Sequence, residues 1–273
     1  MAVITSAPAA PRHYRENSVL RWLSQSSLLT LRLLIRLWRT PMTIVNALVL
    51  PVVFLVAVNL VLGDTITTFT GQDGLYRSVP LVALVGAISG ATAGVVGVMD
   101  ERADGFLARM WALPMHRAAG LTARLVAEAI RLMLTTLAVL AAGLVLGFRF
   151  TQGLSAALVW MLVPVVFGLA FAVLAITIAL YWPKPMLVEG IQTLGLLGTF
   201  FCSGFVPVDQ YPDWVAPLVE YQPMTPAVDA MRGLSVGGPV AGPMLGIVVW
   251  SVGIVAVCLV PLVAGYRRAS RSR

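Results

Sequence analysis

Residues 154–180 read LSAALVWMLVPVVFGLAFAVLAITIAL, a long run without a charged side chain. A helix needs roughly 20 mostly apolar residues to cross a membrane, and this run exceeds that length. The rest of the chain has a similar composition. Of its 273 residues, 59% are hydrophobic and 11% are charged, whereas soluble domains contain about 25% charged residues. The sequence therefore predicts an all-α integral membrane protein.

Six mostly apolar segments divide the chain. A basic N-terminal region (residues 1–42) precedes a transmembrane domain (43–266), and a basic tail (267–273) follows it. The predicted spans are Thr43–Leu62, Val79–Met99, Leu125–Gly147, Leu154–Leu180, Met186–Ser203 and Met244–Tyr266.

The basic residues indicate the orientation of these spans, because Lys and Arg concentrate in cytoplasmic loops. With the N-terminus inside, sixteen basic residues fall in inner segments and three in outer segments, while the twelve acids divide evenly. We therefore expect a multi-pass plasma (inner) membrane protein with both termini in the cytoplasm. The net charge of +7 then reflects orientation, and we expect no nucleic-acid partner.

Two connecting regions contain amphipathic patterns. In residues 19–39, Arg32, Arg36 and Arg39 recur at near-helical spacing opposite a leucine-rich face, which predicts a helix lying in the inner membrane interface. Residues 205–242 contain frequent prolines with room for two short helices, and apolar side chains such as Trp214 and Leu218 predict that this region rests on the outer leaflet.

The stretch DERADGFLARMWALPMHR, residues 100–117, is the most charged in the chain. It predicts a short cytoplasmic helix over residues 100–113. One face is apolar, and charged residues surround the rest. Aromatic and methionine anchors are typical of docking surfaces, but a helix resting on lipid remains an alternative. The apolar residues are Phe106, Leu107, Met110 and Trp111, and the charged residues are Glu101, Arg102, Asp104 and Arg109.

Several kinds of chemistry are missing from the sequence. Lys184 is the only lysine and lies between two prolines, so the chain has no phosphate-binding loop of the form GxxxxGK[ST]. ERADGFLAR resembles the first half of the CDP-alcohol phosphotransferase motif, but Thr122 and Val126 stand where its later aspartates would be. Cys202 and Cys258 show neither disulfide nor metal spacing. An integral-membrane phosphotransferase is therefore an alternative with an incomplete metal site.

Three ionisable residues fall within predicted spans, namely Glu128, Arg131 and Glu189. The first two are three residues apart on one helix face and are able to pair, although a proton relay in a secondary transporter is a second alternative. The second span also contains GAISGATAGVVG, whose small residues at four-residue intervals predict close helix packing. That packing lies either within one bundle or at a subunit interface.

The order of these features resembles the ABC-2 family of exporter permeases over nearly the whole chain. A basic entry helix, six spans, a charged helix ending in LPxxR and a PxW…AMRG segment before the last span carry the resemblance. GLYRSVPLVAL, FLARMWALPMHRAAGL, ALYWPKPMLVEG and MRGLSVGGPV are most similar to daunorubicin/doxorubicin-resistance permeases of the DrrC type.

The resemblance implies a role for each region. Glu101–Trp111 would be the coupling helix seated on a partner ATPase, and the helix carrying Arg32, Arg36 and Arg39 would be the elbow helix. Residues 213–234 would cap the exit, with Trp214, Leu218 and Arg232 as gate candidates. The chain would be a transport subunit and not an enzyme. It would pair with two ATPase subunits that bind ATP and Mg, and with a second permease, either a copy of itself or a sister.

The resemblance also implies outward transport of anthracycline-like drugs or of cell-envelope lipids such as phthiocerol dimycocerosate. For such a cargo we expect an apolar route with scattered polar groups. The candidates are Asn46, Asn59, Ser89, Thr92, Glu189, Gln192 and Thr199.

Overall fold

The computed structural model describes residues 19–70, 74–105, 116, 118–182 and 184–271, and the regular structure within them is helical. A π-helical turn, Val45–Val49, joins the second and third helices, and a 3₁₀ turn, Val208–Gln210, precedes the eighth. The helices are α1 (Val19–Arg39), α2 (Pro41–Ile44), α3 (Leu50–Thr70), α4 (Leu75–Ala103), α5 (Ala119–Leu146), α6 (Gly153–Tyr181), α7 (Pro185–Phe200), α8 (Ala216–Tyr221), α9 (Met224–Val236) and α10 (Ala241–Arg271).

Within the described residues, four helices are long and apolar enough to cross a membrane: α4, α5, α6 and α10. They contain the predicted second, third, fourth and sixth spans. The predicted first span lies on α2, the π turn and α3, where Val45–Val61 is a shorter apolar stretch. The predicted fifth span lies on α7, whose 16 residues extend about 24 Å. The all-helical class is confirmed, and the count of six spans stays a prediction.

Helix α6 lies at the centre of the bundle and packs against α4, α5, α9 and α10. Close contact depends on glycine at Gly168, where a Cβ would lie 2.8 Å from a methyl carbon of Leu132 and 3.0 Å from the Cβ of Ala87. The small residues of α4 have the same effect. A Cβ at Gly86 would lie 2.9 Å from Thr135 of α5. The predicted small-residue packing thus occurs within this chain.

Helix α1 has the predicted bounds but an unusual burial pattern. Its small polar residues Ser26 and Thr30 are buried, while Leu20 and Trp38 are 79% and 60% exposed. Thr30 donates a hydrogen bond to the carbonyl oxygen of Ala123 on α5 at 3.3 Å. The side of α1 that carries Ser26 and Thr30 therefore packs on α5, whereas exposed apolar side chains such as Leu20 and Trp38 are left for lipid, as expected for a helix in the membrane interface.

The structure corrects two predicted boundaries. Helix α4 continues through Ala103 and ends in a turn at Gly105, which has φ +66°. Residues 100–103 are thus the end of a long helix and not the start of a separate coupling helix. The tail predicted from residue 267 is helical through Arg271. The two short helices predicted within residues 205–242 are confirmed as α8 and α9, with the 3₁₀ turn as an additional element.

Candidate functional site: a cavity between seven helical segments

A cavity of about 600 Å³ lies at the end of the bundle where α4 ends and α5 begins. Its walls come from α1, the π turn, α3, α4, α5, α6 and α7, and its volume is in the range of pockets that hold one drug-sized ligand. The cavity reaches the surface at Arg36 and Asp100, whose side chains are about half exposed. Its apolar wall includes Leu33, Leu37, Leu50, Val96 and Ile176.

Three of the predicted substrate-path residues line this cavity. Asn46 comes from the π turn, Ser89 from α4 and Gln192 from α7, so the structure brings together polar groups far apart in sequence. Of the others, Asn59 and Glu189 lie away from the cavity lining, and the side chain of Thr92 lies outside the described residues.

Thr199 is also away from the lining. It is buried near α9, where its hydroxyl group donates to the carbonyl oxygen of Gly195 at 3.0 Å.

A charged junction lines the open end of the cavity. Arg124 of α5 donates to the buried carboxylate of Glu101 on α4. Arg36 of α1 lies 3.7 Å from the same carboxylate and 3.6 Å from that of Asp100. The exposed Arg36 contacts are weak because water screens them, whereas the Glu101–Arg124 pair is largely shielded from water. One buried carboxylate therefore joins three helices.

Deeper in the cavity, Arg131 and Glu128 form the pair that their spacing on one helix face allows. The Arg131 Nε donates to Glu128 Oε2 at 3.0 Å, and Nη2 donates to Oε1. Both residues are buried. The pairing supports the structural interpretation of these residues over a proton relay.

The predicted coupling residues fall mostly outside the described part of the chain. Phe106, Leu107, Met110 and Trp111 all lie there, as does the side chain of Arg102. Asp104 is exposed in the turn that follows α4, while Glu101 is only 5% exposed and belongs to the junction. Glu101 thus contacts α1 and α5 through Arg36 and Arg124, and its predicted part in coupling stays a prediction.

The predicted elbow helix α1 contacts His116 and the first turn of α5. Gln25 Oε1 accepts a hydrogen bond from the backbone N–H of His116 at 2.8 Å, and Trp22 donates to the hydroxyl of Thr122 at 3.2 Å. Arg32 and Arg39 are exposed. Helix α1 and the stretch between α4 and α5 are therefore held together, which the sequence pattern did not indicate.

At the opposite end of the bundle, a buried polar cluster connects α4 to α9, which lies within the region predicted to cap the exit. Arg77 of α4 donates to the carbonyl oxygen of Ser203 at 2.6 Å, and the Ser203 hydroxyl donates to Asp229 of α9 at 2.9 Å. The pKa of Asp229 is raised above its ordinary value, because the effect of burial exceeds the lowering by the Ser203 hydroxyl, Arg232 and Arg77. This cluster ties α4 to the segment after α7 and to α9.

Of the predicted gate residues, only Arg232 lies near that cluster. Trp214 and Leu218 are 84% and 68% exposed, so their apolar surface is available to lipid or to a partner. Sequence reasoning missed Arg77, Ser203 and Asp229. The available signal was an arginine and an aspartate within apolar surroundings, but nothing in the sequence paired them.

Comparison with known proteins decides what kind of membrane protein has this arrangement. Residues 24–235 match the ABC-2 type transporter family, which covers most of the chain. The chain belongs to the ABC-2 transporter family. This ABC-2 permease is thus an integral membrane protein, and members of its family are the non-catalytic permease subunits of ABC transporters that act with ATPase subunits.

Individual relatives agree with that assignment. The ABC-2 permease is 48% identical over 255 residues to the "Probable doxorubicin resistance ABC transporter permease protein DrrC" of Mycobacterium tuberculosis, covering 93% of this chain and 92% of that protein. It is 26% identical over 239 residues to the "Daunorubicin resistance ABC transporter permease protein DrrB1" of Streptomyces coeruleorubidus, covering 85% and 81%. These matches favour the permease and not the phosphotransferase alternative.

Proposed function

We propose that this chain is the membrane-spanning subunit of an ATP-driven exporter that moves a hydrophobic drug or a complex envelope lipid outward across the plasma membrane. The observation that carries the proposal is the cavity, which combines apolar walls with polar groups from separate helices in a chain of the ABC-2 family. Such a lining suits an amphiphile. The names of the relatives, which refer to doxorubicin and daunorubicin resistance, support a cargo of this class.

The orientation of the cavity follows from the arginines. If six segments cross the membrane and basic residues gather inside, the α4–α5 end of the bundle faces the cytoplasm, with both termini. The cavity would then be open to the inner leaflet, and the Arg77 cluster would close the outer end. An amphiphile would enter from the inner leaflet and leave past α8 and α9.

Energy would come from other polypeptides. The absence of a phosphate-binding loop in the sequence supports two cytoplasmic ATPase subunits as partners, and these would bind ATP and Mg. The stretch between α4 and α5 would receive their movement. The buried Glu101 would pass it to α1 and α5 through its contacts with Arg36 and Arg124. A second permease, identical or a sister, would complete the transporter.

The test of this proposal is uptake of doxorubicin into inside-out membrane vesicles that contain the chain and its ATPase. We expect uptake that requires ATP and disappears when either subunit is omitted. A proton gradient without ATP should give no more uptake than in control vesicles that lack the chain, where the basic amine of doxorubicin is trapped by the gradient alone. Gradient-driven uptake that requires the chain would contradict the proposal and favour a secondary transporter. The same assay with a fluorescent diester lipid in place of doxorubicin tests the second class of cargo, a complex envelope lipid.

A further inference from the structure

The guanidinium group of Arg131 is only partly used by its own chain. Arg131 lines the cavity and is 5% exposed. Two of its nitrogens donate to Glu128, and the third, Nη1, is buried and makes no hydrogen bond to any described residue. Buried donors in folded proteins are almost always satisfied. An N–H donor in a cavity wall without a protein acceptor therefore marks a place for an acceptor from a ligand.

Charges around the cavity restrict the kind of acceptor. Glu128 already neutralises Arg131. The other charged residues of the described lining, Arg36 and Arg124 against Asp100 and Glu101, also balance and lie in contact with one another. A phosphate or carboxylate placed at Nη1 would thus bring an uncompensated negative charge into a buried site, which is strongly unfavourable. An uncharged oxygen satisfies the donor without that penalty.

Gly90 is what allows the guanidinium group to occupy this position. A Cβ at Gly90 would coincide with the guanidinium group of Arg131, so any larger residue has to displace it. Gly97, two turns further along the same helix, also lines the cavity, but no atom of the described residues lies within 4 Å of its Cβ position. The two glycines provide a matched pair of substitutions in one cavity wall.

We propose that Arg131 Nη1, held against Gly90 by Glu128, is a recognition site for an uncharged carbonyl oxygen of the transported amphiphile, such as an ester carbonyl. Ser89 and Gln192 line the same cavity and can contact further oxygens of the same molecule. The leucine side chains of α1 accept its hydrocarbon part. Because the inference names the chemistry of the cargo, it rests on the proposed function.

The test compares two lipids that differ only in the carbonyl groups. The permease complex is placed in nanodiscs of ether-linked phosphatidylcholine, so the membrane itself offers no ester, and binding of dioleoylglycerol is measured against its diether analogue, di-O-oleylglycerol. We expect the diester to bind about tenfold more tightly, the effect of one buried hydrogen bond left unmade. Gly90→Ala should reduce the preference to below about twofold, and Gly97→Ala should retain it.

Three results would overturn the inference. Equal binding of diester and diether by the unaltered chain would mean that water satisfies Nη1. A preference that survives Gly90→Ala would place the acceptor elsewhere. Tighter binding of ether-linked phosphatidic acid than of the diester would indicate an anion site. If Gly90→Ala does not yield a folded protein, the double variant Glu128→Gln/Arg131→Met removes the pair without leaving a lone charge and should likewise lose the preference.

Failure of this inference is distinguishable from failure of the proposed function. ATP-dependent vesicle uptake without any preference for the diester would contradict only the role of Arg131. A clear preference in nanodiscs without ATP-dependent uptake would leave the binding site in place and contradict the exporter.

Discussion

Replacing Arg124 with methionine is expected to destabilise the permease by about 3 kcal/mol, because removing one partner of a buried ion pair leaves the other charge uncompensated. Glu101 is 5% exposed, and among the described residues the half-exposed Arg36, at 3.7 Å, would remain as its basic neighbour. ATP-driven export should also fall roughly tenfold, since coupling through one element typically contributes 5- to 150-fold. Chemical unfolding in detergent and vesicle uptake measure the two effects.

A double-mutant cycle separates the pair from its surroundings. The variant Glu101→Gln/Arg124→Met removes both charges, so we expect it to recover most of the lost stability but not the export rate. Arg36→Met is the control, because Arg36 is half exposed in both of its pairs, which should contribute no more than about 1 kcal/mol. Additive losses in the cycle would show that Glu101 and Arg124 do not act as a pair.

Introducing a charge at Trp111 is expected to have the largest effect on assembly. If the apolar residues of the stretch between α4 and α5, Phe106, Leu107, Met110 and Trp111, fill a cleft in the partner ATPase, Trp111→Asp places a carboxylate at the centre of an interface. Loss of a central aromatic anchor costs about 2 kcal/mol or more of binding free energy, which weakens the affinity at least about 30-fold. Copurification of the ATPase from membranes should therefore be abolished, and Phe106→Asp should behave the same way.

Membrane insertion should be unaffected by Trp111→Asp, which expression and protease protection can verify. The matched control is Trp214→Asp, which makes the same substitution at an exposed tryptophan on the predicted outer side and should leave copurification intact. Undiminished copurification of Trp111→Asp would contradict the docking role and favour a helix that rests on lipid.

Sequence reasoning predicted the features that depend on local patterns. The apolar runs gave the positions of the long helices, and the arginine spacing gave α1 with its observed bounds. Glu128 and Arg131 are three residues apart, so their pairing was predictable. Asn46, Ser89 and Gln192 stood out as polar groups in apolar surroundings, and the structure places them around one cavity.

Features that depend on tertiary contacts could not be predicted from local sequence patterns. Arg36 and Glu101 are 65 positions apart and Arg77 and Ser203 are 126 apart, so no periodicity relates them. The end of α4 was misjudged because charged residues at Asp100–Ala103 suggested a new element. In the structure, burial of Glu101 against Arg124 lets the apolar helix continue through them. The missing hydrogen-bond partner of Arg131 Nη1 among the described residues also becomes apparent only in the packed structure.

The central claim, that a cytoplasmic ATPase acts on the segment between α4 and α5, is tested most directly by the sidedness of that segment. Single cysteines at Asp104 and Trp214, both exposed, can be labelled with a membrane-impermeant maleimide, since the native Cys202 and Cys258 are buried. In intact cells we predict labelling at Trp214→Cys alone, and at Asp104→Cys only after the membrane is opened. Labelling of Asp104→Cys from outside intact cells would contradict the account.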